Sequence, residues 1–255
     1  MRVTFLGTGT SHGVPMIGCR CAVCRSDDPR DKRWRPSILV EGAGGARVLV
    51  DTATDLRAQA LAFGVDRVDA VLYTHAHADH VLGFDETRRY NVLSGGPLPI
   101  FADAATLADL RRTFAYAFQE RAPQGGGVPQ ARTFQVEGPF CLGGVDVVPV
   151  PIFHGPRTIL GYRMGRFAYL TDCSGIPESS WPLLSGLDVL VLSALRDRPH
   201  PTHFTVAQAI EAAQRAGARR TFFTHLCHDL GHAATSARLP AGIELAFDGL
   251  SMALT

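Results

Sequence analysis

Apolar residues in this chain come in short runs, broken by glycine, proline and small polar residues. RVTFLGTG opens the chain, and SILVEGAGGARVLVDTA reads as two strands turning at Gly44 and Gly45. DAVLYTHAH, VDVVPVPIFHG, GYRMGRFAYLTDCSG, LDVLVLSAL and RRTFFTHLCH share one form: a buried strand that ends on polar or ligand-type residues. Three stretches carry three-to-four spacing instead and read as helices. They are residues 55–64, starting at Asp55 and stopping at Gly64, residues 104–118, and residues 205–216 behind Thr205 as a cap. Strands crowd the first third and then mix with helices. That order predicts an α/β (α+β) architecture of packed sheets with helices outside, in αββα layering. No internal repeat is visible. Residues 122–130 (APQGGGVPQ) read as a flexible loop and not as a linker between domains, so residues 1–255 are taken as one domain.

Composition narrows the function classes. The chain is 46% hydrophobic and 19% charged, enough for a sizeable core. Its 25 basic and 24 acidic residues leave a net charge of +1, which gives no pull towards large nucleic acids or anionic membranes. The opening residues lack the apolar core of about 7–15 residues that a signal peptide needs, and no run approaches the roughly 20 residues of a membrane span. A soluble, cytoplasmic protein is the expectation. Thiols stay reduced in that compartment, so clustered cysteines point to metal and not to disulfides. Cys141, Cys173 and Cys227 stand apart from the cluster and read as ordinary side chains.

THAHADH, from Thr74 to His80, holds three histidines and an aspartate just after an apolar strand. Imidazole and carboxylate are the usual ligands of zinc and similar divalent ions. His75 and His77 alternate and can share one ion; Asp79 and His80 can reach a second. Further ligand candidates stand at other strand ends: His154, Asp172 and His225.

THAHADH matches the HxHxDH signature of the metallo-β-lactamase superfamily, and His154, Asp172 and His225 follow in that family's order. The resemblance covers almost the whole chain. It implies a four-layer αββα metallo-hydrolase sandwich with the site at one edge. It further implies that His75, His77 and His154 hold one ion, that Asp79, His80 and His225 hold another, and that Asp172 bridges the two. Asp51 resembles the family's aspartate that supports the ligand loop without binding metal. A divalent pair of this kind, zinc or manganese, lowers the pKa of a shared water towards about 7 and clamps anionic oxygens. An aspartate bridge suits phosphodiester or thioester hydrolysis better than β-lactam opening.

Cys19, Cys21 and Cys24 in GCRCAVC make an incomplete tetrahedral zinc site, since closed structural sites take four ligands. His228 is free to be the fourth if His225 belongs to the paired ions; Cys227 is a rival. The stretch FLGTGTSHGVPMIGCRCAVC resembles the PhnP branch of the superfamily, phosphodiesterases of phosphonate breakdown acting on cyclic ribose phosphates. That branch carries an extra zinc on Cys19, Cys21, Cys24 and His228. The cofactor-synthesis protein PqqB has a similar cysteine run. Phosphodiesterases of the superfamily place a general-acid histidine before a helix, which here is His203, with His200 in reserve. Asp79, besides its place as a ligand, is counted with His203 as catalytic. Ser11 and His12 are candidates for the cleft lining; GTGTSHG lacks the lysine of a phosphate-binding P-loop. The expected substrate is a ribosyl 1,2-cyclic phosphate or 2′,3′-cyclic nucleotide. The expected cofactors are two catalytic ions and one structural zinc, and the resemblance implies a homodimer. The competing readings are a transfer-RNA 3′-processing nuclease and a non-hydrolytic PqqB-like accessory protein.

Overall fold

The computed structural model describes residues 1–119 and 127–254, so residues 122–126 of the glycine-rich stretch lie outside the described residues. One sheet is made by β1 (Arg2–Gly7), β2 (Ser37–Glu41), β3 (Arg47–Val50), β4 (Ala70–Leu72), β5 (Leu98–Ala102) and β6 (Ala131–Gln135), with β14 (Ser251–Ala253) added outside β1. The other runs from β7 (Phe140–Leu142) through β8 (Val145–His154), β9 (Arg157–Met164), β10 (Phe167–Leu170), β11 (Val189–Ser193) and β12 (Arg220–Thr224) to β13 (Ile243–Leu245). Each sheet is mixed. β3 to β6 are parallel, as are β10 to β13, while β1–β2–β3 and β7–β8–β9–β10 pair antiparallel.

The helices are α1 (Leu56–Phe63), α2 (Ala78–Val81), α3 (Arg88–Ser94), α4 (Ala104–Thr113), α5 (Val206–Ala216) and α6 (His232–Ser236). Three apolar layers fill the spaces. Phe5, Val40, Val50, Tyr162, Tyr169, Val191 and Phe222 interdigitate between the sheets. Leu56, Leu107 and Leu110 pack from α1 and α4 onto the outer face of the first sheet. Val206, Ala209 and Ala213 pack from α5 onto the second. The αββα layering expected from the strand and helix order is the one observed.

Local chemistry sets the element ends. Thr205 and Gln208 form a reciprocal capping box at the start of α5, and Gly217 stops it in the left-handed region. Helix α4 ends at Thr113, short of the expected 118. Phe114 leaves helical geometry (φ −113°, ψ 41°), and only a 3-10 turn, Ala115–Ala117, follows. Asp55 precedes α1 but does not cap it with its side chain; the carboxylate pairs instead with Arg35, 2.9 Å away. The β2–β3 hairpin turns at the expected glycines, with Gly45 at φ 80°. No helix among the described residues is long and apolar enough to cross a membrane.

The topology matters because β3, β4, β8, β10 and β12 all end on one edge of the sandwich. Each carries one of the chemically suggestive residues at its end or shortly beyond it: His154 closes β8, paired with Arg157, while Asp51, His75, Asp172 and His225 follow β3, β4, β10 and β12. Asp51, Asp172 and His225 all sit in the left-handed backbone region (φ 63°, 58° and 58°). Non-glycine residues pay about 1–2 kcal/mol there, a cost that persists where the surroundings over-determine the geometry.

Candidate metal centre

Among the described residues, ligand-type side chains gather in three groups, two of which meet. His75, His77, His154 and Asp172 form one, and Asp79, His80, Asp172 and His225 form the second, with ligand atoms in each within 4.8 Å of one another. Asp172 belongs to both. Its Oδ1 lies 3.1 Å from His80 Nε2 and 3.3 Å from His225 Nε2, while Oδ2 lies 3.8 Å from His75 Nε2. Asp79 Oδ2 stands 3.4 Å from both His80 Nε2 and His225 Nε2. His154 Nε2 and His77 Nδ1 are 3.3 Å apart.

The imidazoles are aimed by what holds their other nitrogens. His80 Nδ1–H donates to Asp51 Oδ2 at 2.7 Å, which leaves Nε2 facing the second group. Asp51 is fully buried and also accepts the Thr74 backbone N–H and hydroxyl, each at 2.8 Å. Since the Thr74 proton is committed to Asp51, Thr74 Oγ1 accepts from His75 Nδ1–H at 3.0 Å, and His75 Nε2 faces inward. His154 Nδ1–H donates to the Thr202 carbonyl at 2.8 Å. Fixing one ring nitrogen in this way sets the tautomer of a ligating histidine and raises its basicity.

The inward nitrogens fit a cation. His75 Nε2 and His80 Nε2 are buried and make no hydrogen bond. Bare lone pairs gathered in a dry cavity are costly unless a positive charge meets them. Electrostatics agree. Burial raises the proton affinity of Asp172, but the His225 and His80 imidazoles outweigh it and hold the carboxyl well below its ordinary range. Burial lowers His80, yet Asp172, Asp79 and Asp51 together carry it well above the usual histidine value, so a proton competes with a cation for its Nε2 and leaves as the cation binds. Burial first, and then the neighbouring His80, His77 and His154 rings, take His75 well down against the pull of Asp172, into the neutral form a ligand needs. His77 is half-buried.

The third group joins Cys19, Cys21, Cys24 and His228. Cys19 Sγ and Cys21 Sγ lie 3.3 and 3.5 Å from His228 Nδ1. The Cys24 N–H, with the His228 ring, draws the Cys21 thiol down to about 6, towards the thiolate that binds zinc. All six cysteines are free. Cys227 is not in the group: its Sγ accepts the Asp229 N–H. Cys173 is buried packing beside Asp172.

His203 stands over the paired groups. Its Nδ1 is 4.0 Å from Asp172 Oδ2, and its ring lies 4.7 Å from His225 and 4.8 Å from His154. His200 is one step further out, 5.0 Å from His203, with Nδ1 turned to Thr202. Ser11 and His12 are exposed. His12 lines a depression of about 480 Å³ with Lys32, Trp34 and Arg35, and no ligand of the metal groups lines it. Sequence reasoning missed the Thr202 carbonyl, which no side-chain motif can announce, and the role of Thr74 in orienting His75.

Known proteins place this architecture. A crystal structure of a new diphosphatase from the PhnP family superimposes with a TM-score of 0.93 at 45% identity, covering 100% of this chain and 98% of that one. An octanoyltransferase from Porphyromonas gingivalis is 38% identical over 252 residues, 98% of this chain but 51% of that protein, so the chain spans about half its length. A coenzyme PQQ synthesis protein B from Methylorubrum populi is 32% identical over 221 residues, covering 75% of this chain and 72% of that protein. The two sheets with flanking helices are the metallo-β-lactamase fold. Residues 46–226 match the beta-lactamase superfamily domain, and the chain belongs to that family.

Proposed function

We propose that the chain is a metal-dependent phosphodiesterase using two divalent ions, zinc or manganese, on a small cyclic phosphate of the ribosyl 1,2-cyclic or 2′,3′-cyclic nucleotide type. The observation that carries it is the sharing of Asp172 by two complete His/Asp groups with His203 beside them. When bound, the ions supply positive charge that makes a water acidic and offsets charge growing on phosphoryl oxygens. His75, His77 and His154 hold one side of the cleft and Asp79, His80 and His225 the other. Asp172 fixes the spacing between them. A water attacks phosphorus and gives up a proton to solvent, one ester P–O bond breaks, and the departing oxygen takes a proton, so that one water is added overall.

His203 is placed to give it. Burial and the neighbouring His225 ring push its pKa down to about 3, so the imidazole is neutral at pH 7 until an anion arrives. A phosphodiester carries one negative charge, and that charge beside the ring raises its proton affinity. The near-neutral charge of the chain disfavours a large RNA substrate. The likeness to a diphosphatase supports a second reading, cleavage of a diphosphate bond by the same residues.

The test compares a ribosyl cyclic phosphate, a nucleoside diphosphate ester, bis(p-nitrophenyl) phosphate and a precursor transfer RNA with zinc- or manganese-loaded protein. Preferred opening of the cyclic ester supports the proposal; preferred diphosphate cleavage favours the second reading. Mature transfer RNA, or no turnover of any of the four, overturns both. His203→Ala is expected to retain its metal content and lose about 10²–10⁴-fold in kcat. Unchanged kcat removes His203 from the mechanism.

A further inference from the structure

Residues 224–228 carry a ligand for two centres at once. His225 belongs to the Asp79–His80–Asp172 group, and His228 closes the cysteine group. Between them, Leu226 N donates to the Thr8 carbonyl at 2.9 Å, the Leu226 carbonyl accepts from Thr10 N at 3.2 Å, and Cys227 N donates to the Leu195 carbonyl at 3.1 Å. The turn beyond is gripped by one side chain from the other end of the chain. Arg33 Nη1 donates to the Cys227 carbonyl at 3.0 Å, and Nη2 donates to the Leu230 carbonyl at 2.6 Å and to Asp31 Oδ1 at 2.8 Å. Nε donates to the Arg30 carbonyl at 3.3 Å. Asp31 Oδ1 also accepts the His232 N–H at 2.8 Å, so it holds the same C-terminal segment.

The Arg33 side chain is 0% exposed. A buried cation is costly unless its donors are satisfied, and a planar fork can reach two carbonyls and a carboxylate where an ammonium cannot. Its backbone is fixed too: Arg33 and Val14 exchange N–H···O bonds of 2.7 and 2.8 Å, five residues before Cys19. One guanidinium thus ties the loop that delivers the thiols to the turn that delivers His228, and that turn starts two residues after His225.

We propose that Arg33 is a positioning residue for both metal groups, setting the Cys227–Leu230 turn so that His225 and His228 reach their groups together. Occupancy of the thiolate site and of the His225 side of the paired site is then coupled through this turn. The inference rests on the metal reading of the three groups, and the experiment separates the two.

Zinc-loaded wild type and Arg33→Met are titrated with a competing chelator, and zinc per chain is read by atomic emission. Loss of a partner that orients a ligand costs roughly 10–100-fold in metal affinity. In Arg33→Met that weakening is expected at two sites, the cysteine group and the Asp79–His80–Asp172–His225 group. The ion held by His75, His77, His154 and Asp172 is expected to keep its wild-type affinity. Arg33→Lys, which keeps the charge but not the fork, is expected to fall between. If Arg33→Met does not fold, Asp31→Asn is expected to show the same selective pattern with a smaller loss. Wild-type affinity at all sites, or equal weakening at all three, overturns the inference while leaving the metal reading intact. A wild type that takes up no ion overturns both.

Discussion

Asp172→Ala is expected to abolish ion binding at both His/Asp groups and to lower turnover by more than about 10³-fold, while the cysteine group keeps its ion. The magnitude follows from position. Mere orienting partners of metal ligands cost roughly 10–100-fold when removed. Asp172 is no mere partner; among the described residues it is the one carboxylate within reach of His75, His80 and His225 together. Its loss strips each group of a negative ligand and leaves buried imidazoles facing one another. Alanine also sits poorly at φ 58°, which by itself costs about 1–2 kcal/mol. Asp172→Asn separates these effects. Asparagine tolerates the left-handed region and keeps the shape, but it brings no charge. Emptied groups in both variants assign the loss to the carboxylate; two ions retained in Asp172→Asn would show that the charge is not needed and would sink the bridging role.

Legibility in the sequence followed how local each interaction is. THAHADH could be read because its ligand-type residues are contiguous, and strand ends could be read because apolar runs stop abruptly before His154, Asp172 and His225. Their convergence is a property of topology: β8, β10 and β12 end on the same edge as β4, and no spacing along the chain encodes that. The thiol run was equally visible, whereas its tie to His228 spans 209 residues. Arg33 was invisible. Nothing in KRWRP distinguishes an arginine whose side chain is fully buried from exposed Lys32 or half-buried Arg35, because its partners include backbone carbonyls of a turn almost two hundred residues away. The overlong helix at 104–118 has a similar cause. Phe114 keeps the apolar spacing but turns out of the helix to pack against Phe84, with ring centroids 4.8 Å apart and the rings tilted, so tertiary packing overrides periodicity.

Asp51→Ala is expected to destabilise the fold by about 3–5 kcal/mol and to weaken the ion at Asp79, His80, Asp172 and His225 by roughly 10–100-fold. Asp51 binds no ion in this arrangement; it is the acceptor for three buried donors, the Thr74 N–H, the Thr74 hydroxyl and His80 Nδ1–H. Alanine leaves all three without a partner, at about 1–3 kcal/mol for each that water cannot reach. The damage spreads along the loop. Without Asp51, the Thr74 hydroxyl no longer has to accept from His75, and His80 loses the bond that keeps Nε2 turned inward. Asp51→Asn supplies one acceptor and tolerates φ 63°, but its NH2 group must face a donor, so stability is expected to recover further than metal affinity. Urea denaturation measured beside chelator titration checks both. Wild-type affinity at both His/Asp groups in Asp51→Ala would mean that the ligand loop holds its own shape, and that the buried carboxylate serves the core and not the site.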